Sequence, residues 1–408
     1  MRTDICIVGA GSGGVAAAFA AAAQRPDKKI VLIEAMGILG GTSTLGGVNA
    51  WEPGSVGAGV LHKMCFDKLK AENSAVIARY VKHTQRPGLW ALVEEDKNLQ
   101  YEDTLRHRAP GRVVFEPMAM HRYMENILLK LGVEILYSFP VVDCKTEGQR
   151  ILSLTIKNTY TGETLVVESD MFIDSTAELV LARMAGAETM RSDNLNGVSQ
   201  MFVVSQKEYR GVDELPLWVK ETDAEKWVKE RDPDVIFNRY PNGRLNVNTL
   251  PTLEGSEYLK LGKEARRTAV ARTYALWQDF QKERGFDNYK LDYIFPILGV
   301  REGYHLVGRH VLDIPDLISK EKRDDFIAFS DHSLDFHSAV TKKSAADIGG
   351  EYGIPFGCTL PKNLENLAVA SRGLSATPLA ASSCRLQRTI MQIGESVGRA
   401  VAEANGVF

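Results

Sequence analysis

The chain has 408 residues and a formal net charge of -3. That length exceeds one ordinary core and points to two lobes or one large α/β unit, while the near-neutral charge offers no basic field to nucleic acid and no polybasic face to a membrane. That charge leaves small molecules and other protein chains as partners; five cysteines, Cys6, Cys65, Cys144, Cys358 and Cys384, are scattered without CxxC spacing, which argues against a disulfide framework or a zinc ribbon and fits a reducing compartment.

Residues 4–8 form an apolar run suited to a buried parallel strand. It starts too close to Met1 to leave room for a signal peptide, and no apolar segment reaches the length of a membrane span, so a cytoplasmic location is expected. The loop that follows, Gly9-Ala10-Gly11-Ser12-Gly13-Gly14, carries the spacing G-x-G-x-x-G, which alone is weak evidence. Its surroundings strengthen it. An alanine-rich helix over 15–24 follows, then a second apolar strand over 29–33 that ends at Glu34, about 20 residues past the loop, where an acid can accept hydrogen bonds from a ribose. Gly9 makes the turn, Gly11 lets a pyrophosphate approach the backbone, Gly14 permits helix-on-strand contact, and the helix start offers free N–H groups to an anion.

Residues 37–51, GILGGTSTLGGVNAW, are too glycine-rich for a strand interior. They read either as a surface loop or as a loop carrying N–H groups along the pyrophosphate toward a flavin; Asn49 and Trp51 close it. A helix is expected over 60–72, another over 117–131, then a strand over 134–137. A hairpin of 151–157 and 164–168 turns at 158–162, and a strand over 171–173 returns to the first domain. Residues 209–232 read as solvated helices and loops, and 255–284 as a helix with an apolar stripe. At the far end, a strand over 366–370, a turn at Ser371-Arg372-Gly373 and a helix over 389–405 supply a second wall for a long cofactor.

These segments resemble the FAD-dependent oxidoreductases of the two-dinucleotide-binding-domain, glutathione-reductase-like superfamily. The resemblance runs over nearly the whole chain, through GAGSGG at 9–14, the loop at 37–51, FEPMAMHRYMENILLKLGVEILYSFPVVD at 115–143, FIDSTAELVLARMAGA at 172–187, LGVREGYHLVGRHVL at 298–312, LDFH at 334–337 and the block from Tyr352 to Leu386. It implies an α/β fold: a Rossmann-like FAD-binding domain, discontinuous in sequence, with an inserted α+β substrate domain. The expected division is 1–55, 114–187 with its β-hairpin, and 351–408 for FAD, 56–113 as a variable helical or loop insertion, and 188–350 as the substrate or cap domain. It further implies FAD contacts from Gly9, Gly11, Gly13, Gly14, Glu34 and Ala35 toward the adenosine, from Gly40, Gly41 and Thr42 nearer the flavin, and from Val141 at the adenine. Ser175, Ala177 and Arg372 join them, with Met391 and Gly394 at the start of the last helix facing the flavin ring. The chain departs from the family pattern at Ala177 and Ser371, where glycine is usual, at Arg388, where proline is usual, and at Tyr304-His305, where arginines are common.

FAD carries the redox step, so the protein must place a substrate against the flavin N5 and move a proton. His337 is the first candidate base, two residues from Asp335 on one strand face; a structural histidine bonded to Asp335 is the alternative. Tyr304 and His305 follow, beside Arg301 and Glu302; Arg301 either pairs with Glu302 or holds a substrate carboxylate in its fork. Cys358 lacks a nearby partner cysteine and reads as inert. The expected function is a hydride transfer between a small polar substrate (C–OH, C–N or activated C=C) and the flavin, with an electron donor or acceptor that the sequence does not name. Association with further copies of the chain stays open, and a flavin-binding sensor without turnover is the second reading.

Overall fold

The computed structural model describes residues 1–56, 59–82, 90–193, 196–319, 321–337 and 344–408. Parts of the 56–113 and 188–350 segments therefore lie outside the described residues.

The first sheet has seven strands. Four run parallel in the order Glu134–Tyr137, Ile30–Glu34, Arg2–Val8 and Thr164–Asp174, and Leu367–Val369 adds in parallel to the end of the last. The strands expected over 164–168 and 171–173 are one continuous strand. Its start pairs antiparallel with Arg150–Lys157, which pairs in turn with Val141–Glu147, while Glu168 onward runs beside the first strand. Side-chain alternation explains why these runs are apolar on both faces. Ile5, Ile7 and Leu32 pack in the core that holds the helices, and Cys6, Val8 and Val31 pack in the core on the other face.

Two helices meet on the first of these faces. Ser12–Gln24 starts within the glycine loop, and Gln387–Glu403, the expected C-terminal helix, lies directly on it. Small residues make that approach possible: a Cβ at Gly394 would strike the Gly13 carbonyl oxygen, and one at Gly398 the Ala17 carbonyl oxygen.

The second sheet has eight strands: Tyr289–Ile294, Met201–Gln206, Leu245–Leu250, Asp234–Arg239, Trp90–Glu95, Ala75–Lys82, Arg112–Phe115 and Ala50–Trp51, in that spatial order. The segments expected as insertion and substrate domain thus share one sheet, joined where Trp90–Glu95 runs parallel to Asp234–Arg239. One face packs on the helix Ala265–Glu283 through Phe202, Val204, Val235, Phe237, Leu245 and Val247. The alternate residues look the other way, toward the parallel sheet.

Candidate active site

Between the two sheets lies a cavity of about 1190 Å³. Its nucleotide end is built from backbone. The helix Ser12–Gln24 has Gly11 as its N-cap, with no side chain capping it, so its first N–H groups are left for an anion. Chain neighbours aside, no atom of the described residues stands within 4 Å of where a Cβ on Gly11 would be, and Gly11 lines the cavity. The neighbouring glycines are filled against the protein instead. A Cβ at Gly13 would strike the Ala370 carbonyl and one at Gly14 the Gly9 carbonyl, and Gly9 itself has a φ of +92°, open to glycine and strained for other residues.

Glu34 is the side chain of this end. It is 9% exposed and lines the cavity, its two carboxylate oxygens accepting the N–H groups of Ala10 (2.7 Å) and Met36 (2.8 Å). Burial holds its carboxyl above the usual range, against the effect of those bonds. The acid braces the glycine loop through Ala10.

Gly9, Gly13, Ala35, Gly41 and Thr42 line the same cavity, as do Val141, Ser175, Ala177 and Arg372. Arg372 is ion-paired with Glu178 through Nη2, and its Nη1 is buried without a partner among the described residues. Gly14, Gly40, Met391 and Gly394 do not line it. Gly40 donates its N–H to Ala10 O (2.7 Å), Gly14 and Gly394 serve close packing, and Met391 is buried in the helix core. The start of the last helix does reach the cavity, through Gln387, Arg388 and Ile390. Gln387 ties it to the 37–51 loop, accepting from Trp51 Nε1 (3.0 Å) and donating to Val48 O (2.7 Å). Arg388, 1% exposed, donates to Thr104 Oγ1 (2.9 Å) and Glu52 O (2.8 Å), while its Nε has no partner among the described residues.

The opposite end is built from side chains. His337 and Arg301 line it, together with Asp335 and Arg385. His337 Nε2 sits 2.7 Å from Asp335 Oδ2, its backbone N–H donates to Asn196 Oδ1 (2.9 Å), and its carbonyl accepts from Gly197 N (2.7 Å). Burial, then the Arg301 charge, lowers its pKa to about 4 against the pull of Asp335, so the ring is neutral at pH 7. With the proton on Nε2 facing Asp335, Nδ1 carries the lone pair. Arg301 donates Nη1–H to Gly197 O (2.7 Å); burial and the neighbouring Arg385 lower its pKa to about 9. Arg385 donates to Asp335 O (3.1 Å) and approaches its Oδ2 (3.5 Å).

Tyr304 and His305 stand away from this wall and do not line the cavity. Tyr304 lies between guanidiniums, Arg183 at 3.7 Å and Arg191 at 4.8 Å from its ring centroid. His305 is 1% exposed, its Nδ1 3.2 Å from Leu374 O. Glu302 turns from Arg301 to accept Asn196 N–H (2.8 Å). The Cys358 thiol is buried and pushed up by that burial, consistent with an inert side chain.

Sequence reasoning missed Arg385, His332 and the sheet residues Asn238, Asn246 and Asn248, all on the cavity wall. A signal was present for the sheet. Leu245-Asn246-Val247-Asn248 alternates as a strand should, with the wrong polarity for a face buried in hydrocarbon.

Comparison with known proteins accords with this architecture. The family model for FAD dependent oxidoreductases matches residues 4–405. The chain belongs to that family. The protein is an oxidoreductase and its cofactor is FAD, which the glycine cradle, the uncapped helix start and Glu34 fit. Among solved structures, a geranylgeranyl bacteriochlorophyll reductase-like protein from Thermoplasma acidophilum is 13% identical with a TM-score of 0.53, covering 99% of this chain and 78% of its own; it shows the shared fold. A flavoprotein/dehydrogenase from Cytophaga hutchinsonii is 12% identical over 99% of this chain and 78% of its own, with a TM-score of 0.48. A search of curated protein sequences finds no match. No helix among the described residues is long and apolar enough to cross a membrane.

Proposed function

We propose that this family member moves a hydride between a small polar organic substrate and FAD, with His337 handling the accompanying proton. The observation that carries the reading is the His337–Asp335 pair, at 2.7 Å, on the wall of the same cavity as the open Gly11 cradle. That cavity, about 1190 Å³, exceeds the roughly 300–1000 Å³ typical of a single small-molecule site and so has room for two occupants.

In this reading Gly9, Gly11, Gly13, Glu34, Ala35, Gly41, Thr42, Val141, Ser175, Ala177 and Arg372 hold FAD, and the start of the last helix adds its free N–H groups, with Arg388 beside them. FAD supplies the acceptor or donor of two electrons. The chain does the rest. For a C–OH or C–NH substrate, the neutral His337 ring takes the O–H or N–H proton on Nδ1 as hydride leaves carbon, and Asp335 steadies the imidazolium that forms. Run in reverse, or on an activated C=C, the same ring returns the proton. Arg301 fixes a positive charge on that wall.

The test is anaerobic mixing of the yellow protein with a panel of sugars, polyols, amines and hydroxy acids. Bleaching by one class supports a dehydrogenase. Silence across the panel, with reduced protein also failing to reduce enoates, overturns the reading and favours a flavin sensor.

A further inference from the structure

Two sets of residues on the cavity wall carry unsatisfied polar groups, and they differ in chemistry. The first is cationic. Asp335 is shared between His337 and Arg385, so Arg301 has a backbone carbonyl but no carboxylate at ion-pair distance among the described residues, and Arg385 keeps a buried Nε without a partner. A pair of guanidiniums in this state calls for an anion, and a planar carboxylate matches the fork.

The second set is neutral. Asn238 and Asn246 are 4% and 0% exposed, and their side-chain oxygens, with that of Asn248, are buried without a partner among the described residues. Asn246 uses its amide N–H groups on Gly47 O (3.0 Å) and Tyr240 Oη (3.0 Å), which fixes the acceptor as its free atom. A buried acceptor left unpaired costs about 1–3 kcal/mol, so a row of them on a cavity wall fits a ligand that brings its own donors.

Register places the two sets in line. Asn238 pairs directly with Asn246 across the sheet, and Asn248 is the partner of Met201. The strand through Met201 leads back to Ser199, which is bridged to Gly299, two residues before Arg301. At about 3.4 Å of rise per residue, Asn246 and Asn248 lie roughly 7 Å apart along their strand, and the Ser199–Gly299 bridge joins its neighbour to the segment that carries Arg301.

From these we propose that the substrate is a polyhydroxylated carboxylic acid, a sugar acid in chemical class, with its carboxylate on Arg301 and Arg385 and its hydroxyls along Asn248, Asn246 and Asn238. The inference rests on the proposed function only in placing the substrate in this cavity, and its test separates the two. Aldonates and uronates are titrated into the FAD-loaded protein, with sorbitol as the polyol lacking the acid and hexanoate as the acid lacking the hydroxyls; binding is read from the perturbed flavin spectrum and from the shift in Tm, and turnover from anaerobic bleaching. At least one sugar acid is expected to bind ten-fold or more tighter than both controls. Arg301→Gln should remove the preference over sorbitol, and Asn248→Ala the preference over hexanoate, each with FAD retained; Arg301→Lys, which keeps charge but not the fork, checks that a loss is not misfolding. Sorbitol binding as well as the acids, or no acid perturbing the flavin or the Tm, overturns the proposal. Sugar acids that bind without bleaching leave the substrate class standing and count against hydride transfer. Bleaching by an amine or enoate alone does the opposite.

Discussion

The two ends of the cavity are made differently. The nucleotide end is backbone from one short stretch of chain: a strand, a glycine turn and a helix start within 2–24, braced by one acid. The substrate end gathers Arg301, Asp335, His337 and Arg385 from three late segments and amides from the eight-stranded sheet. The first is a shape that recognises a phosphate chain whatever else is bound. The second, in the proposed reading, is the set of charges and amides that selects the substrate. It follows that damage to the first should cost fold or cofactor, and damage to the second should cost chemistry alone.

The largest effect is expected where a glycine touches protein. Gly13→Val would drive side-chain atoms into the Ala370 carbonyl and should cost more than about 4 kcal/mol, seen as loss of soluble folded protein or a collapse in urea midpoint. Two residues away, Gly11→Val enters open space; the apoprotein should keep its Tm within a few degrees while FAD affinity drops about a hundred-fold or more by flavin titration. If Gly11→Val kept FAD, or unfolded the apoprotein as Gly13→Val does, the two roles would not be separable.

The smallest effect concerns the histidines. Burial holds His62 at about 3, His305 at about 4 and His337 at about 4, below the unfolded value of about 6.5. Between about pH 6.5 and pH 4 the unfolded rings take protons that the folded ones refuse, so each contributes a loss of stability as pH falls through that window. Glu34, Asp174 and Glu302, held high by burial, act in the opposite sense, so the readout is a difference. His305→Gln should flatten the fall in Tm with acidification, by at most about 1.4 kcal/mol per pH unit, and leave flavin reduction unchanged. A slowed reduction would return His305 to the active site.

The contrast between the ends also explains what the sequence made legible. The cradle could be read because its parts are contiguous and each glycine has a local reason, and Glu34 was found by its distance from them. Met391 and Gly394 were expected about one and two turns too deep because the helix start, at Gln387, is set by ties to Trp51 and Val48 that no local pattern announces. His305 was drawn in by its position after Arg301-Glu302, but the pairing of His305–Leu306 with Thr189–Met190 carries it off the wall. The strands Ala75–Lys82 and Trp90–Glu95 pair with each other and went unread; the step no local pattern announces is the parallel pairing of Trp90–Glu95 with the distant Asp234–Arg239. In the asparagine row Asn238 faces Asn246 locally, and only Asn248 opposite Met201 depends on long-range pairing.

The central claim is that proton transfer belongs to His337 at the side-chain end while FAD is held at the other. Single-turnover flavin reduction by His337→Ala, under anaerobic conditions and at matched FAD content, tests it most directly. The account predicts a rate lowered about 10²- to 10⁴-fold with FAD fully retained. An unchanged rate, or loss of FAD with the histidine, would contradict it.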